Sequence, residues 1–508
     1  MTALRASRPF RPPFRRSLAA WACLLCVAAI LCAPCIANAD PWLAPGDIGA
    51  RQDVELLVDS GVIDVPVTTW PLPWGAISAA LATVSPEALP PDEQAAYSRL
   101  VTAIESVQAG ADEFGYEAAA APGRPALRWF GTTPRGKEEA GVSYAGYNGS
   151  VAFRFNLLGV YGASDHQRGR FDGSYIAFAL GNWILTAGQI DQYWGPAWSG
   201  SLIFGNNSRP VPGVLLSRNV AEPFQTPLLH WLGPWTLSFF TGRLEDDRYI
   251  PHPYLIGARF AFRPLSGLEF GITRMAQYGG EGRPQSLSCL FDALFGRTNK
   301  NKKTAADDCA NELAGVDMRF HVPRTRFDFY MQGSAEDSSG GIPTRWSDLF
   351  GLSTWGAIGD DGASYRAFLE YANTTANSFT TPIPNVTYEN IRYLSGYRYR
   401  QVDLGYPTDN DSELWTAGVT LQGVNGGNVT FLLRHGLLNG DNTNRNEPWG
   451  GNKLAPVRTG LNAADVYYMP AFWGRHLSMG VGVSRWAAFG LPAETGFHGQ
   501  IMWEQNFQ

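Results

Sequence analysis

Two periods divide the chain. Up to about residue 110, apolar residues recur at helical spacing. Ala50, Val54, Leu57 and Val58 line one face of a segment that Asp47 can cap and Gly61 stops. Ile77, Ala80, Leu81 and Val84 repeat the spacing over Pro73–Val84. A third segment starts at Pro91 with Asp92 and Glu93 in its first turn. It places Tyr97, Leu100, Val101, Ile104 and Val107 on one side and ends at Gly110. Three short amphipathic helices bury little alone, so they are expected to dock on something larger.

From about residue 140 the period falls to two. Val151, Phe153 and Phe155 alternate with Ala152, Arg154 and Asn156, and Ile256, Ala258, Phe260 and Phe262 alternate with Gly257, Arg259, Ala261 and Arg263. The pattern returns at Leu268/Phe270/Ile272, Val316/Met318/Phe320, Phe327/Phe329/Met331, Ala417/Val419/Leu421, Val429/Phe431/Leu433 and Met479/Val481/Val483, and closes at Ile501, Trp503 and Phe507. One face is apolar. The other carries Arg154, Arg259, Arg263, Asp317, Arg319, Asp328, Arg366, Glu370 and Arg434. Alternation sustained this far, with aromatics at strand ends, predicts an all-β transmembrane fold: a large antiparallel outer-membrane β-barrel. At about 20 residues per strand and connection the segment holds 16–20 strands, an even number. Charges of both signs inside a lumen must pair, so a braced, partly occluded interior is expected.

The expected organisation is a signal peptide over 1–39, a periplasmic helical module and linker over 40–128, and the barrel over 129–508. Five Arg precede an unbroken apolar run, Leu18–Leu31, and Ala37-Asn38-Ala39 reads as a cleavage site, so the mature chain is expected to start at Asp40. Removing five Arg and no acid takes the net charge from −6 to −11, which argues against a nucleic-acid partner. Outer-membrane lipid is the expected surround, and a barrel that closes on itself is expected to be a monomer. Of six cysteines only Cys289 and Cys309 follow the signal, and in an exported protein such a pair reads as a disulfide.

The longer connections, at 188–232, 279–312, 334–363, 373–410 and 438–464, are the candidate extracellular loops. Lys300, Lys302 and Lys303 fall in the second, as a basic patch or a solvated tip. The first contains Gly188–Asn219, which sets Tyr193, Trp194 and Trp198 among glycines, followed by Asn206, Asn207, Ser208 and Arg209. Flat aromatics beside amides and a guanidinium suit a sugar, whose apolar C–H faces stack on rings while hydroxyls meet planar polar groups. Tyr193, Trp194, Trp198, Asn206, Asn207 and Arg209 are therefore the candidate carbohydrate-binding residues. The competing reading of the same residues is an aromatic corner that plugs the barrel.

No nucleophile elbow, P-loop, H-E-x-x-H or zinc-type cysteine pattern is present, and the seven His are scattered. The paired acids Asp246-Asp247, Glu336-Asp337 and Asp409/Asp411 lie among turn formers and read as solvated turns. No catalytic residue, metal ligand or cofactor is expected.

YWGP followed by SLIFGNNSRP resembles the signature of the Wzi-type capsule assembly proteins, outer-membrane lectins of Gram-negative bacteria. RQDVELLVDSGVI with TTWPLPW, GVDMRF, YMQGSAED, LEYANTT and SGYRYRQVDLGY are similar to further family blocks, in the expected order. The resemblance implies an 18-stranded barrel with a periplasmic helical bundle. It also implies a non-enzymatic protein that binds capsular or extracellular polysaccharide and helps attach the capsule. A channel for oligosaccharides or small solutes is the alternative, and conductance in a planar bilayer separates the two.

Overall fold

The computed structural model describes residues 40–110, 112–123, 127–294, 310–336, 338–339, 342–377, 381–471 and 477–507. The signal peptide, the Lys300/Lys302/Lys303 patch, Asp337 and Cys309 lie outside the described residues. The three helices form where the spacing put them: α1 over Ile48–Asp59, α2 over Trp74–Leu81 and α3 over Pro91–Gln108. Asp47 caps α1, its side chain accepting the Ala50 N–H at 2.9 Å.

Eighteen strands follow: β1 Glu113–Ala120, β2 Glu138–Tyr147, β3 Val151–Tyr161, β4 Tyr175–Leu180, β5 Trp183–Gly188, β6 Gly213–Arg218, β7 Trp235–Arg243, β8 Tyr254–Leu265 and β9 Leu268–Tyr278. A short helix, α4, covers Leu287–Leu294. The chain continues with β10 Ala310–His321, β11 Phe327–Ala335, β12 Trp346–Ile358, β13 Ala363–Asn377, β14 Glu413–Gln422, β15 Asn428–Leu438, β16 Thr459–Met469, β17 Leu477–Ala488 and β18 Glu494–Phe507. Each pairs antiparallel with the next, and β18 pairs with β1, Phe507 opposite Phe114, to close the ring. Closure leaves no strand edge unpaired, which is what a sheet inside a bilayer requires.

Three strands lie where the sequence reading placed loop or linker. β1 falls within the expected linker, because EFGYEAAA offers small residues and almost no alternation. β12 occupies much of the expected 334–363 loop, because its inward face mixes Ser347, Gly351 and Ser353 with Leu349 and Trp355 and so shows no regular polar–apolar alternation. The 188–232 connection is likewise interrupted by β6.

The alternation sorts the faces as expected. Phe155, Ile272, Phe329, Phe350, Leu433 and Val481 are exposed on the outer wall, while Arg259, Arg263, Asp317, Arg319, Asp328, Arg366, Glu370 and Arg434 are buried in the lumen. Short turns gather at one end. There Arg99 of α3 donates to the carbonyl oxygen of Val424 at 2.8 Å. Short turns mark the periplasmic end of such barrels in general, and here the helices dock at the short-turn end while the long loops gather at the other.

The helices do more than dock on the rim. All twelve residues of α1 are buried, because the helix is enclosed by the wall and its charges meet wall charges. Asp59 accepts from both terminal nitrogens of Arg319 at 2.6 and 2.7 Å and from Arg366 at 2.7 Å. Gln422 donates to Asp53, and Gln52 donates to Ser364. The apolar side of the bundle shares one core with Trp355, Phe368, Leu432 and Tyr467 of the wall.

Candidate functional site

Above α1 the lumen is filled by three inserted segments. The first, 127–136, brings Trp129 and Phe130 down to the helices. The second, 189–212, carries the candidate carbohydrate residues. Tyr193 and Trp194 pair as a short ladder with Trp70 and Thr69, and the N–H of Phe130 donates to the Trp198 carbonyl at 2.9 Å. Glu370 of β13 accepts from the N–H groups of Trp198 and Ser199 at 2.7 and 2.8 Å, and Gln332 of β11 bridges Trp194 and Leu202. Backbone polar groups that leave regular structure inside a lumen need such partners, and here wall carboxylates and amides supply them.

The structure brings the candidate residues together, but as filling. Tyr193, Trp194 and Trp198 are 0%, 0% and 1% exposed. Phe130 meets Tyr193 edge-on at 5.1 Å, Phe204 meets Trp194 at 5.2 Å, and Phe368 stacks on Trp198 at 6.0 Å. The guanidinium of Arg51 lies 4.3 Å from the Phe130 ring and 4.0 Å from that of Trp198, and donates to the carbonyls of Pro196 and Ala197. Arg209 is spent on Asp172 and Asp165, at 2.7 Å each. Asn206 donates to the Phe130 carbonyl and Asn207 to that of Asp403. With the rings buried under their neighbours, this cluster presents no open surface to a pyranose among the described residues.

The layer at the long-loop end is built on the third segment, 381–412, which continues downward into the plug. Gly205 donates to the Leu404 carbonyl at 2.8 Å, and Tyr388 Oη donates to that of Leu202 at 2.7 Å. Buried Arg398 pairs with Glu389 and Asp409. Two other loops lock onto this core. From 244–253, Arg248 donates to the carbonyls of Arg398 and Gly396, and the N–H of Tyr249 to Ser395 Oγ at 2.9 Å. From 439–458, Asn446 donates to Glu389 and to the Asn390 carbonyl, and Asn452 to the carbonyls of Thr408 and Asn410.

At this junction two aromatics do face solvent. Tyr249 is 46% and Trp449 39% exposed, with ring centroids 6.2 Å apart at 63°. The sequence reading missed both. Their signal was an aromatic set directly among turn formers, Tyr249 before Pro251 and Pro253, and Trp449 between Pro448 and Gly450.

Of the paired acids, Asp246 and Asp247 are exposed, whereas Asp409 and Asp411 are buried in the cap instead of forming a solvated turn. Burial, aided by nearby Asp441, pushes the Asp411 carboxyl up to about 7. Burial and then Asp409 raise Asp403 well above the usual range, against the pull of Arg398. In the lumen, Asp59, His321 and Asp328 bring ligand atoms within 4.8 Å of one another. Two guanidiniums already bond there, Arg319 and Arg366, and they repel a metal ion. Cys289 is disulfide-bonded, and Cys309, its expected partner, lies outside the described residues.

A family model described as capsule assembly protein Wzi matches residues 115–498. A Klebsiella pneumoniae protein described as an uncharacterized 55.8 kDa protein in the cps region is 33% identical over 341 residues. The match covers 66% of this chain and 66% of that relative, so the chain spans just under two thirds of the relative's length. A solved structure from Escherichia coli superposes with a TM-score of 0.78 at 25% identity, covering 92% of this chain and 100% of the other. It is Wzi, described as an outer membrane protein involved in group 1 capsule assembly and as a carbohydrate-binding β-barrel.

Proposed function

This chain belongs to the capsule assembly protein Wzi family, and on that premise we propose that it holds capsular or extracellular polysaccharide at the outer-membrane surface, without cutting it. The polymer meets the extracellular cap. The observation that carries this reading is the Tyr249–Trp449 pair, which is open to solvent above a filled lumen. Rings fixed by three interlocked loops lose little conformational freedom when a sugar stacks on them, so the surface is pre-organised. A filled lumen also favours retention over passage. Individual ring contacts are weak, and hold on a polymer grows by repetition along the strand.

The test is retention of purified polysaccharide by the assembled barrel. Tyr249→Ala with Trp449→Ala is expected to release the polymer while the barrel keeps its compact, heat-resistant migration. An assembled double variant that retains polymer as the parent does rules out this surface.

A further inference from the structure

Helix α4 lies outside the barrel. It packs against Ile256, Ala276, Tyr278 and Ala310, which point away from the lumen at the extracellular ends of β8, β9 and β10. The helix lays Cys289 and Ala293 on the wall, at 5% and 0% exposure, with Leu290 and Leu294 partly buried beside them. Leu287 and Phe291, one turn apart, point outward at 73% and 56%. A helix on a water-facing surface buries its large apolar residues and exposes polar ones, whereas α4 leaves Leu287 and Phe291 uncovered.

Beneath α4 the wall carries two outward charges. Arg274 of β9 and Glu312 of β10 form an ion pair, and the Arg274 guanidinium also donates to the Ala293 carbonyl at 3.2 Å, near the end of α4. A helix C-terminus favours a cation, and charges on a lipid-facing wall are costly unless covered. The other end of α4 sits at the rim, where Tyr278 Oη donates to the Ser286 carbonyl at 2.9 Å and the Tyr278 ring lies 6.2 Å from that of Tyr254. Such a ring pair marks the interfacial aromatic belt. The helix thus runs from the belt down the wall. Its exposed stripe is continuous with the apolar outer surface at Ile272 and Val316, both of them exposed.

We infer that α4 is seated in the outer leaflet, with Leu287 and Phe291 against the acyl chains of its glycolipid and Cys289 and Ala293 covering the Arg274–Glu312 pair. The helix gives the barrel a lateral lipid contact separate from the polysaccharide surface on its cap.

Photo-crosslinking in isolated outer membranes tests this on the full chain. p-Benzoylphenylalanine is placed at Leu287, at Phe291, or on the polar side of the helix at Ser288, and compact heat-resistant migration checks assembly in each. The expected result is a mass shift of one outer-leaflet glycolipid at Leu287 and Phe291, and none at Ser288. A protein adduct, no adduct at either apolar position, or an equal yield at Ser288 overturns the inference. Failed assembly with the reporter at both apolar positions overturns it too, since a bulky group facing acyl chains displaces no packed neighbour.

Discussion

The molecule carries two aromatic groups of nearly the same composition and opposite character. Around Tyr193 and Trp198, each ring has a ring or guanidinium against it, and the carbonyls of Pro196, Ala197 and Trp198 have donors. Around Tyr249 and Trp449, the loop backbone is equally well bonded, but the rings stay open. What separates filling from binding surface is therefore not residue type. It is whether a distant segment arrives to cover the ring. Phe130 and Phe368 reach Trp198 from far along the chain, whereas among the described residues the one aromatic ring against Trp449 is Tyr249, and Trp449 stays 39% exposed.

The strongest way to break this comparison is to empty the buried group. Trp198→Ala with Arg51→Ala removes two of the partners of Phe130 and leaves Tyr193 and Trp70, and loss of a core Trp alone costs about 3–5 kcal/mol. The compact heat-resistant species is expected to be largely lost on gels. Assembly at the parent level would show that the plug is not what braces the barrel. The exposed pair is the gentler half: Tyr249→Ala with Trp449→Ala leaves assembly intact, and two stacking contacts of about 1 kcal/mol each weaken polymer binding roughly thirty-fold.

A smaller effect tests the buried acids that support the open pair. With its carboxyl near 7, Asp411 keeps its proton in the folded cap while an unfolded Asp has ionised above about 3.8. The folded state then binds the extra proton, so the stability of the cap falls as pH rises from about 4 to about 7 and stays lower above that. Limited proteolysis within 381–412 should be slower at pH 5.5 than at pH 8, and Asp411→Asn should shrink the difference. An unchanged pH profile in the variant would remove Asp411 from the account. Least consequential for either group is the proposed Cys289–Cys309 bridge. Digestion without reductant should yield the two peptides linked, and two free thiols would end that proposal.

Much of the fold was legible because its signals are local. Asp47, Gly61, Pro91 and Gly110 bracket helices that form within a residue or two of those marks. The outward run of Val151, Phe153 and Phe155 declares a strand without reference to anything distant. β12 escaped notice because its inward face mixes Leu349 and Trp355 with Ser347, Gly351 and Ser353, Gly351 leaving room for Tyr330, so the sequence shows no regular alternation. The candidate site was less legible for the reason the two aromatic groups illustrate. YWGPAW reads as a sugar platform until Phe130, Arg51 and Phe368 are seen lying on it. Trp449 lacked a strong motif because its proposed role rests on being left uncovered.

The enclosure of α1 has a consequence for the cell as a whole. Eighteen strands describe a ring wide enough to breach the permeability barrier that shields a Gram-negative bacterium from large hydrophilic antibiotics. The bonds from Asp59 to Arg319 and Arg366, with Asp53 held by Gln422 and Arg99, keep that opening stoppered from the short-turn end. A lesion that loosens α1 therefore endangers more than attachment of a polymer. It turns an anchor into a leak, and drug susceptibility would register the damage even in a cell that makes no capsule.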